Sequence, residues 1–293
     1  MFTMASMVSE QKTGTAAQRE RLGKGSVHVV VLILGFLTIF PFFWMLSTSF
    51  KQPHEVFTSD IRILPTDPTL DNFPNAFRYF PVAHWFWNSM GISILTTIGK
   101  VLISLPAAFA FARLQFPGKK YLFAAVLATM IVPGVVAIIP NYIFVANRNW
   151  LDSWQGVIIP SLPSVAFFVF LLRQNILTLP QDLIDAARVD GATTWKMLWQ
   201  IIVPNVRPII AVVTILSFLG AWNQYLWPLL VLSDVESKTL AVGMQLFSGN
   251  TESAELWGPM MATAAIATIP PLILYAFAQK QIISTFVTSG IKG

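Results

Sequence analysis

The chain has 293 residues, of which 55% are hydrophobic and only 11% charged, and its mean hydropathy is +0.63. Soluble domains carry about a quarter of their residues as charges, so these figures exclude an ordinary soluble domain and point to a bilayer. The net charge of +5 raises nucleic acid as a partner, but the 19 Lys and Arg form no basic cluster interleaved with aromatics, and the absence of cysteine excludes disulfides, thiolate metal sites and cysteine nucleophiles.

Residues 1–26 are polar, short of large apolar groups and end in Arg19, Arg21 and Lys24, which reads as a disordered tail on the basic side of a membrane. Val27 to Leu46 then offers a first span with His28 as its one titratable group. About 20 residues at about 1.5 Å each cross a hydrocarbon core of roughly 30 Å. The stretch is too long for a signal-peptide core and no small-x-small cleavage site follows. With Ser47 and Thr48 it makes a first transmembrane unit, 27–48.

Residues 49–84 are polar and rich in proline, the composition of an extramembrane loop. Apolar runs at about 85–112, 121–146, 156–172, 208–232 and 258–279 bring the expected number of spans to six, in an all-α membrane fold whose core covers 85–280 and whose tail covers 281–293. Prolines 106, 133, 140, 160 and 163 fall inside these runs, which membrane helices tolerate where neighbours satisfy the freed backbone groups. Thirteen Lys and Arg lie on the N-terminal side of the expected membrane and five on the other, with Lys100 left inside a span. The positive-inside rule then puts both termini of this multi-pass chain, and the polar stretch around 179–204, in the cytoplasm.

One polar island interrupts the greasy pattern, "LPQDLIDAARVDGATTWKMLWQIIVP" (179–204). Thr178 and Gln181 have the spacing of a capping box, Pro180 suits a first turn and Asp182 favours the positive end of a helix dipole. A short helix over 180–191 is expected, with Gly191 as its terminator and Thr193 or Thr194 capping a second helix toward Pro204. Leu183, Ala186, Ala187 and Asp190 fall at i, i+3, i+4 and i+7 and share a face. Two small alanines there admit the close approach of another protein, and Asp185 and Asp190 offer acceptors to its basic side chains. Periodicity alone equally suits an amphipathic connector lying on headgroups.

"DAARVDGATTWKMLWQIIVP" resembles the EAA motif of the permease subunits of binding-protein-dependent ABC importers, with Asp185, Ala186, Ala187, Gly191, Ile201, Val203 and Pro204 at the motif's places. Asp185 replaces the motif's Glu, and Val203 its Leu. "STSFK" (47–51), "AFAFARLQFPGKK" (108–120), "WNQYLWPLL" (222–230) and "SGIKG" (289–293) look like the MalG-type subunit of carbohydrate importers. "TIGK" (97–100) with "WNQYLWPLLVLSDV" is also similar to the glycerol-3-phosphate branch of that family. The resemblance implies a MetI-like transmembrane domain of a type I importer for a sugar or related polyol, and makes the membrane the cell's inner one. Its implied partners are a second permease subunit, two ABC ATPase subunits, an extracytoplasmic solute-binding protein and membrane lipid. It makes 180–191 a coupling helix seated in an ATPase groove through Asp182, Leu183, Asp185, Ala186, Ala187, Asp190 and Gly191. ATP and Mg would bind the partners, with no cofactor, metal or nucleic acid on this chain.

The residues agree with a chain that hydrolyses nothing itself. None of the Gly-Lys pairs (23–24, 99–100, 118–119) is followed by Ser or Thr or has P-loop spacing, and His28, His54 and His84 are scattered. Lys100 is either a contact for an anionic or polar solute, or a structural or snorkelling lysine. Asn223, Gln224 and Tyr225, between Trp222 and Trp227, either line the solute route, with tryptophan faces for sugar rings, or join helices; Asn88, Asn141 and Tyr142 are candidates of the same kind. An ion-coupled secondary transporter is the rival reading. It would place carboxylates in its spans, whereas every Asp and Glu here falls in a tail or loop.

Overall fold

The computed structural model describes residues 27–58, 62–248 and 254–290, the side chains of 278 and 280–290 excepted. In chain order the helices are α1 (Val27–Ser49), α2 (Pro53–Val56), α3 (Asn72–Tyr79), α4 (Val82–Arg113), α5 (Lys119–Ala128), α6 (Ile138–Asn147), α7 (Trp154–Ser161), α8 (Ala166–Leu177), α9 (Gln181–Val189), α10 (Thr194–Lys196), α11 (Val203–Asn205), α12 (Arg207–Trp222), α13 (Leu226–Val231), α14 (Leu240–Gly243), α15 (Gln245–Ser248) and α16 (Trp257–Gly290). A π-helical stretch, Met197–Ile202, joins α10 to α11. No strand occurs among the described residues. The expected tail at 1–26 and the last three residues lie outside them, while the helical backbone of α16 continues through 281–290.

Three helices are long and apolar enough to cross a membrane: α1, α4 and the Ala254–Phe277 portion that includes most of α16. Two bent pairs add to them, α7 with α8 at 49° and the Thr194–Asn205 segment with α12 at 86°. The apolar run at 121–146 is a correction to the sequence reading. It is no continuous helix but α5 and α6, ten residues each, separated at 129–133 and by a 3-10 turn, Gly134–Ala137. Pro133 takes an extended backbone (φ −61°, ψ 129°), and proline has no N–H with which to continue a helical ladder. The run at 156–172 is likewise interrupted at 162–165, and the run at 208–232 at 223–225. The described residues therefore contain up to five crossings where six were expected.

The centre of the bundle is α4, 32 residues and about 48 Å long at about 1.5 Å per residue, against which α8 and α12 pack; α16 in turn packs on α12. Its polarity is inverted relative to a soluble helix. Ser89, Ser93, Thr96, Thr97 and Ser104 are buried, whereas Trp87, Ile94, Leu95, Ile98, Leu102 and Ile103 are exposed. Lipid tails are as apolar as leucine, so in a membrane nothing drives the apolar face inward, and small hydroxyl residues let helices approach. Toward Arg113 the inward face turns apolar: Leu105, Ala108 and Phe109 join Val169, Leu172 and Ile176 of α8 and Ile209 and Val213 of α12 in one core.

At the Val82 end, Trp85, Asn88 and Ser89, one face of α4, hold the segment before α14. Trp85 Nε1 donates to the Val235 carbonyl (2.7 Å), Asn88 Nδ2 to Glu236 and Lys238 carbonyls (2.7 and 3.1 Å), and Ser89 Oγ accepts from Leu240 N (2.7 Å). Gly243 packs so closely on the Trp85 ring that an added Cβ would collide with it. By contrast α1 stands clear of the bundle and is buried only at its end, at Ser47, Thr48 and Ser49.

A polar knot ties that end of α1 to the loop. Asn72 Nδ2 donates to the Ser49 and Lys51 carbonyls (2.9 and 2.8 Å), Lys51 Nζ donates to Arg62 O (2.6 Å) and lies over the Trp44 ring, and Ser47 Oγ donates to Ile63 O. Buried Glu55 accepts from Thr66 N (2.9 Å) and Asp67 N (3.1 Å). Burial pushes its carboxyl up, but these amides, the Thr66 hydroxyl and nearby His54 outweigh that and hold it below the ordinary carboxylate range. A depressed carboxyl contributes stability that is complete above its unfolded pKa and is lost as pH falls through its folded one. Protection of the Thr66 and Asp67 amides, measured against the intrinsic exchange rate at each pH, is therefore expected to be full near neutrality and to fall on acidification below the normal carboxylate range, and E55Q is expected to abolish that pH dependence.

Candidate functional site

The polar island folds as two helices around a tight bend, anchored at three points. Gly191 takes φ +75°, the left-handed region that suits glycine. With it, Gly191 N donates to Arg188 O (3.0 Å) and Ala192 N to Ala187 O (2.9 Å), the pair of bonds of a Schellman cap. Thr193, and not Thr194, caps the next helix by accepting from Lys196 N (3.3 Å). The expected Thr178–Gln181 capping box does not form. Thr178 Oγ1 donates back to Asn175 O (2.8 Å), and Gln181 is drawn to Arg113 and Asp185, so α9 starts at Pro180 without a side-chain cap.

Arg113, the last residue of α4, is the residue that the sequence reading passed over. Its guanidinium donates to Gln181 Oε1 (2.7 Å) and to the carbonyls of Ile176 (2.8 Å) and Leu179 (2.5 Å), joining the end of α4 to the end of α8 and the first turn of α9. Only the planar fork of arginine offers several donors in fixed directions. The signal was legible as a lone arginine closing a long apolar run before "LQFPG". Ile184, fully buried on the inner face of α9, adds apolar contact to the same core as Met197, Leu198 and Ile202, worth about 1.5–3 kcal/mol for such a side chain.

This anchoring divides the face expected to be shared. Ala187 turns inward at 5% exposure and Leu183 is half-buried, leaving Asp182, Asp185, Ala186 and Asp190 open to solvent. Val189 is 88% exposed, an apolar side chain one or two turns beyond Asp182, Asp185 and Ala186, and Trp195 and Trp199 are exposed nearby in sequence. Asp185 spends Oδ1 on Arg188 (3.2 Å) and Gln181 (3.1 Å). An exposed i, i+3 pair of this kind contributes little stability.

The route candidates are dispersed. Asn88 uses its whole amide, since Oδ1 also accepts from Trp154 Nε1 (3.0 Å). Asn141 and Tyr142 sit on partly open positions of α6. Asn223, Gln224 and Tyr225 occupy the break between α12 and α13. Tyr225 Oη donates to Gln245 Oε1 (2.7 Å), and Asn223 lines a cavity of about 350 Å³ with Trp222, Leu240, Met244, Ala267 and Thr268. The tryptophan faces expected to meet a sugar are occupied by protein. Trp222 stacks on Phe218 at 5.8 Å and meets Phe86 edge-on, and Trp227 is buried with its Nε1 on Gly156 O. Lys100, on α4, is half-buried and without a hydrogen bond or ion pair to any described residue.

Long apolar helices around a hydroxyl-lined seam, with a short charged helix fastened to their end, make this a multi-pass membrane subunit. The family model for the "binding-protein-dependent transport system inner membrane component" matches residues 100–286. The sn-glycerol-3-phosphate transport system permease protein UgpE of Brucella melitensis is 30% identical over 266 residues, 88% of this chain and 94% of that one. UgpE of Yersinia pestis is 28% identical over 268 residues, 89% and 95% of the two. In fold, the chain is similar to a subunit of a bacterial ABC transporter involved in import of the acidic polysaccharide alginate, with a TM-score of 0.80 at 20% identity over 89% of this chain and 97% of that one. The chain belongs to the binding-protein-dependent transport system inner membrane components, and is a permease of the ABC importer class. That membership decides against the ion-coupled carrier.

R113A is expected to release α9 from α4, since stranded buried carbonyls cost about 1–3 kcal/mol. Amide exchange across Gln181–Val189 should rise by about tenfold or more, with the Trp85–Ser89 end of α4 unchanged; equal protection at both ends would refute the clamp.

Proposed function

We propose that this chain is one of two permease subunits of a type I ABC importer for a sugar or polyol, with a phosphorylated polyol as its first candidate cargo. The observation that carries the reading is the build of α9: one face buried by Ile184 and Ala187 and clamped by Arg113, the other open with Asp182, Asp185, Ala186 and Val189. A helix held that way transmits displacement instead of absorbing it. In this reading an ATPase subunit seats the open face in a groove, and closure of the ATPase pair on ATP drags α9. Arg113 passes the movement to α4, and Ile184 passes it to α8 and α12. The island then lies in the cytoplasm with both termini, and the loop knot around Lys51 and Asn72 on the outer side, where a solute-binding protein docks.

Three lines support the partners and the cargo. The EAA-like spacing around Asp185 and Gly191 is the family's coupling signature. The 30%-identical relative is named for sn-glycerol 3-phosphate transport. A structural neighbour, with a TM-score of 0.65 at 16% identity over 90% of this chain and 94% of its own, is a bacterial alginate ABC transporter in complex with an alginate pentasaccharide-bound periplasmic protein. The chain would supply the route and the lever, while ATP and Mg would bind the partner ATPases.

The lever is tested with V189D, which places a charge at the most exposed apolar position of α9. A carboxylate there would be desolvated without a partner once a groove covers the position, so co-purification of the ATPase subunit is expected to fall by about tenfold or more while membrane insertion is unchanged. G191P, which forces φ near −65° where the chain holds +75°, should act likewise; full ATPase recruitment and transport in both variants would refute the coupling role.

A further inference from the structure

The inward stripe of α4 carries hydroxyls at Ser89, Ser93, Thr96, Thr97 and Ser104, and at the step between Thr97 and Ser104 it carries an amine, Lys100. The outward stripe beside it, Ile98, Leu102 and Ile103, is bare hydrocarbon. Lys100 therefore lies along the seam and not among the side chains that meet lipid. Neither end of the helix is within its reach, since Val82 is about 27 Å away and Arg113 about 20 Å away at about 1.5 Å per residue. An ammonium so placed needs a counter-charge. The protein gives it no ion pair among the described residues, and the chain has no Asp or Glu within an apolar run.

The protein leaves the polar groups around Lys100 unsatisfied. Ser93 Oγ and Thr97 Oγ1, on the same face two turns and one turn away, are buried donors with no partner among the described residues. Beside it, a Cβ on Gly99 would come within 2.6 Å of Leu162 Cδ2, so α4 presses here against the start of the unwound segment 162–165 between α7 and α8. Irregular backbone at membrane depth is tolerated where it is enclosed by protein or lines a cavity, and broken helices form the solute sites of other transporters. A free ammonium, unsatisfied hydroxyls and a broken helix meet at one depth of the bundle.

We propose that Lys100 binds the anionic group, a phosphate or carboxylate, of the solute during passage, and so selects anionic over neutral polyols and sugars. This rests on the importer reading. An ammonium is a compact point charge on a flexible stem with three rotatable donors, suited to an anion that passes and departs.

The chain has no cysteine, so K100C is a unique chemical handle. The chain is assembled with its second permease, ATPases and binding protein in proteoliposomes, and uptake of sn-glycerol 3-phosphate, an oligouronide and maltose is measured. K100M and K100C are expected to lose anion uptake by about 10- to 100-fold, the loss that follows from removing one hydrogen bond to a charged group, and K100R to retain most of it. Treating K100C with 2-aminoethyl methanethiosulfonate, which restores an ammonium, should recover uptake of the anionic probe, and the uncharged methyl reagent should not.

Anion uptake by K100M at the wild-type level, in an intact complex, overturns the proposal. So does loss of the second permease from the K100M complex, which would make Lys100 an interface ion pair. A wild-type complex that imports only maltose overturns it too while leaving the importer reading in place. A chain that recruits no ATPase subunit removes the reading beneath it.

Discussion

The Arg113 guanidinium is the constraint on which the arrangement depends. Three hydrogen bonds converge on it from Gln181, Ile176 and Leu179, so the end of the longest inner helix, the end of α8 and the start of α9 cannot move apart without stranding buried carbonyls. Ile184 fixes the same unit through apolar packing. The 86° turn between the Thr194–Asn205 segment and α12 completes it, because the π-helical stretch Met197–Ile202 contributes Met197, Leu198 and Ile202 to that core. Force applied to the exposed side of α9 thus reaches α4, α8 and α12 together. A lever hung by a flexible loop would dissipate it.

The inverted polarity of α4 sets how the same helix packs inside the bundle. Buried Ser and Thr permit close approach of the neighbouring helices, and the glycines of this half pack as tightly, Gly91 against Trp154 and Gly99 against Leu162. Where the helix turns apolar, below Ser104, it belongs to the rigid unit around Arg113. One helix therefore joins a hydroxyl-lined half to a hydrophobic half.

Much of this was legible in the sequence, and the remainder was hidden for physical reasons. Apolar runs located the helical stretches, Gly191 foretold the bend, and the Thr193-Thr194 pair foretold a second cap without saying which threonine makes it. Hydropathy averages over a window, so it could not see the interruptions at 129–133 and 162–165, where the residues stay largely apolar while the ladder of hydrogen bonds stops, nor the one at 223–225, where three polar residues are outweighed by their apolar flanks. Periodicity identified the faces of α9 but not which one its own chain covers. Ala187 looked like docking surface and is core, whereas Val189 looked incidental and is the most exposed apolar residue there. The unformed capping box has the same origin: Gln181 had a better partner in Arg113, 68 residues away in sequence.

The separation of α1 carries a consequence for biogenesis. Most of its apolar surface is left uncovered by the bundle, which it meets at Phe42 and at its buried end, Ser47–Ser49, so the free energy of lodging it in lipid is settled largely by its own residues. Such a helix can hold its place in a bilayer without help from its neighbours, whereas the interrupted helices that follow it depend on one another for their packing.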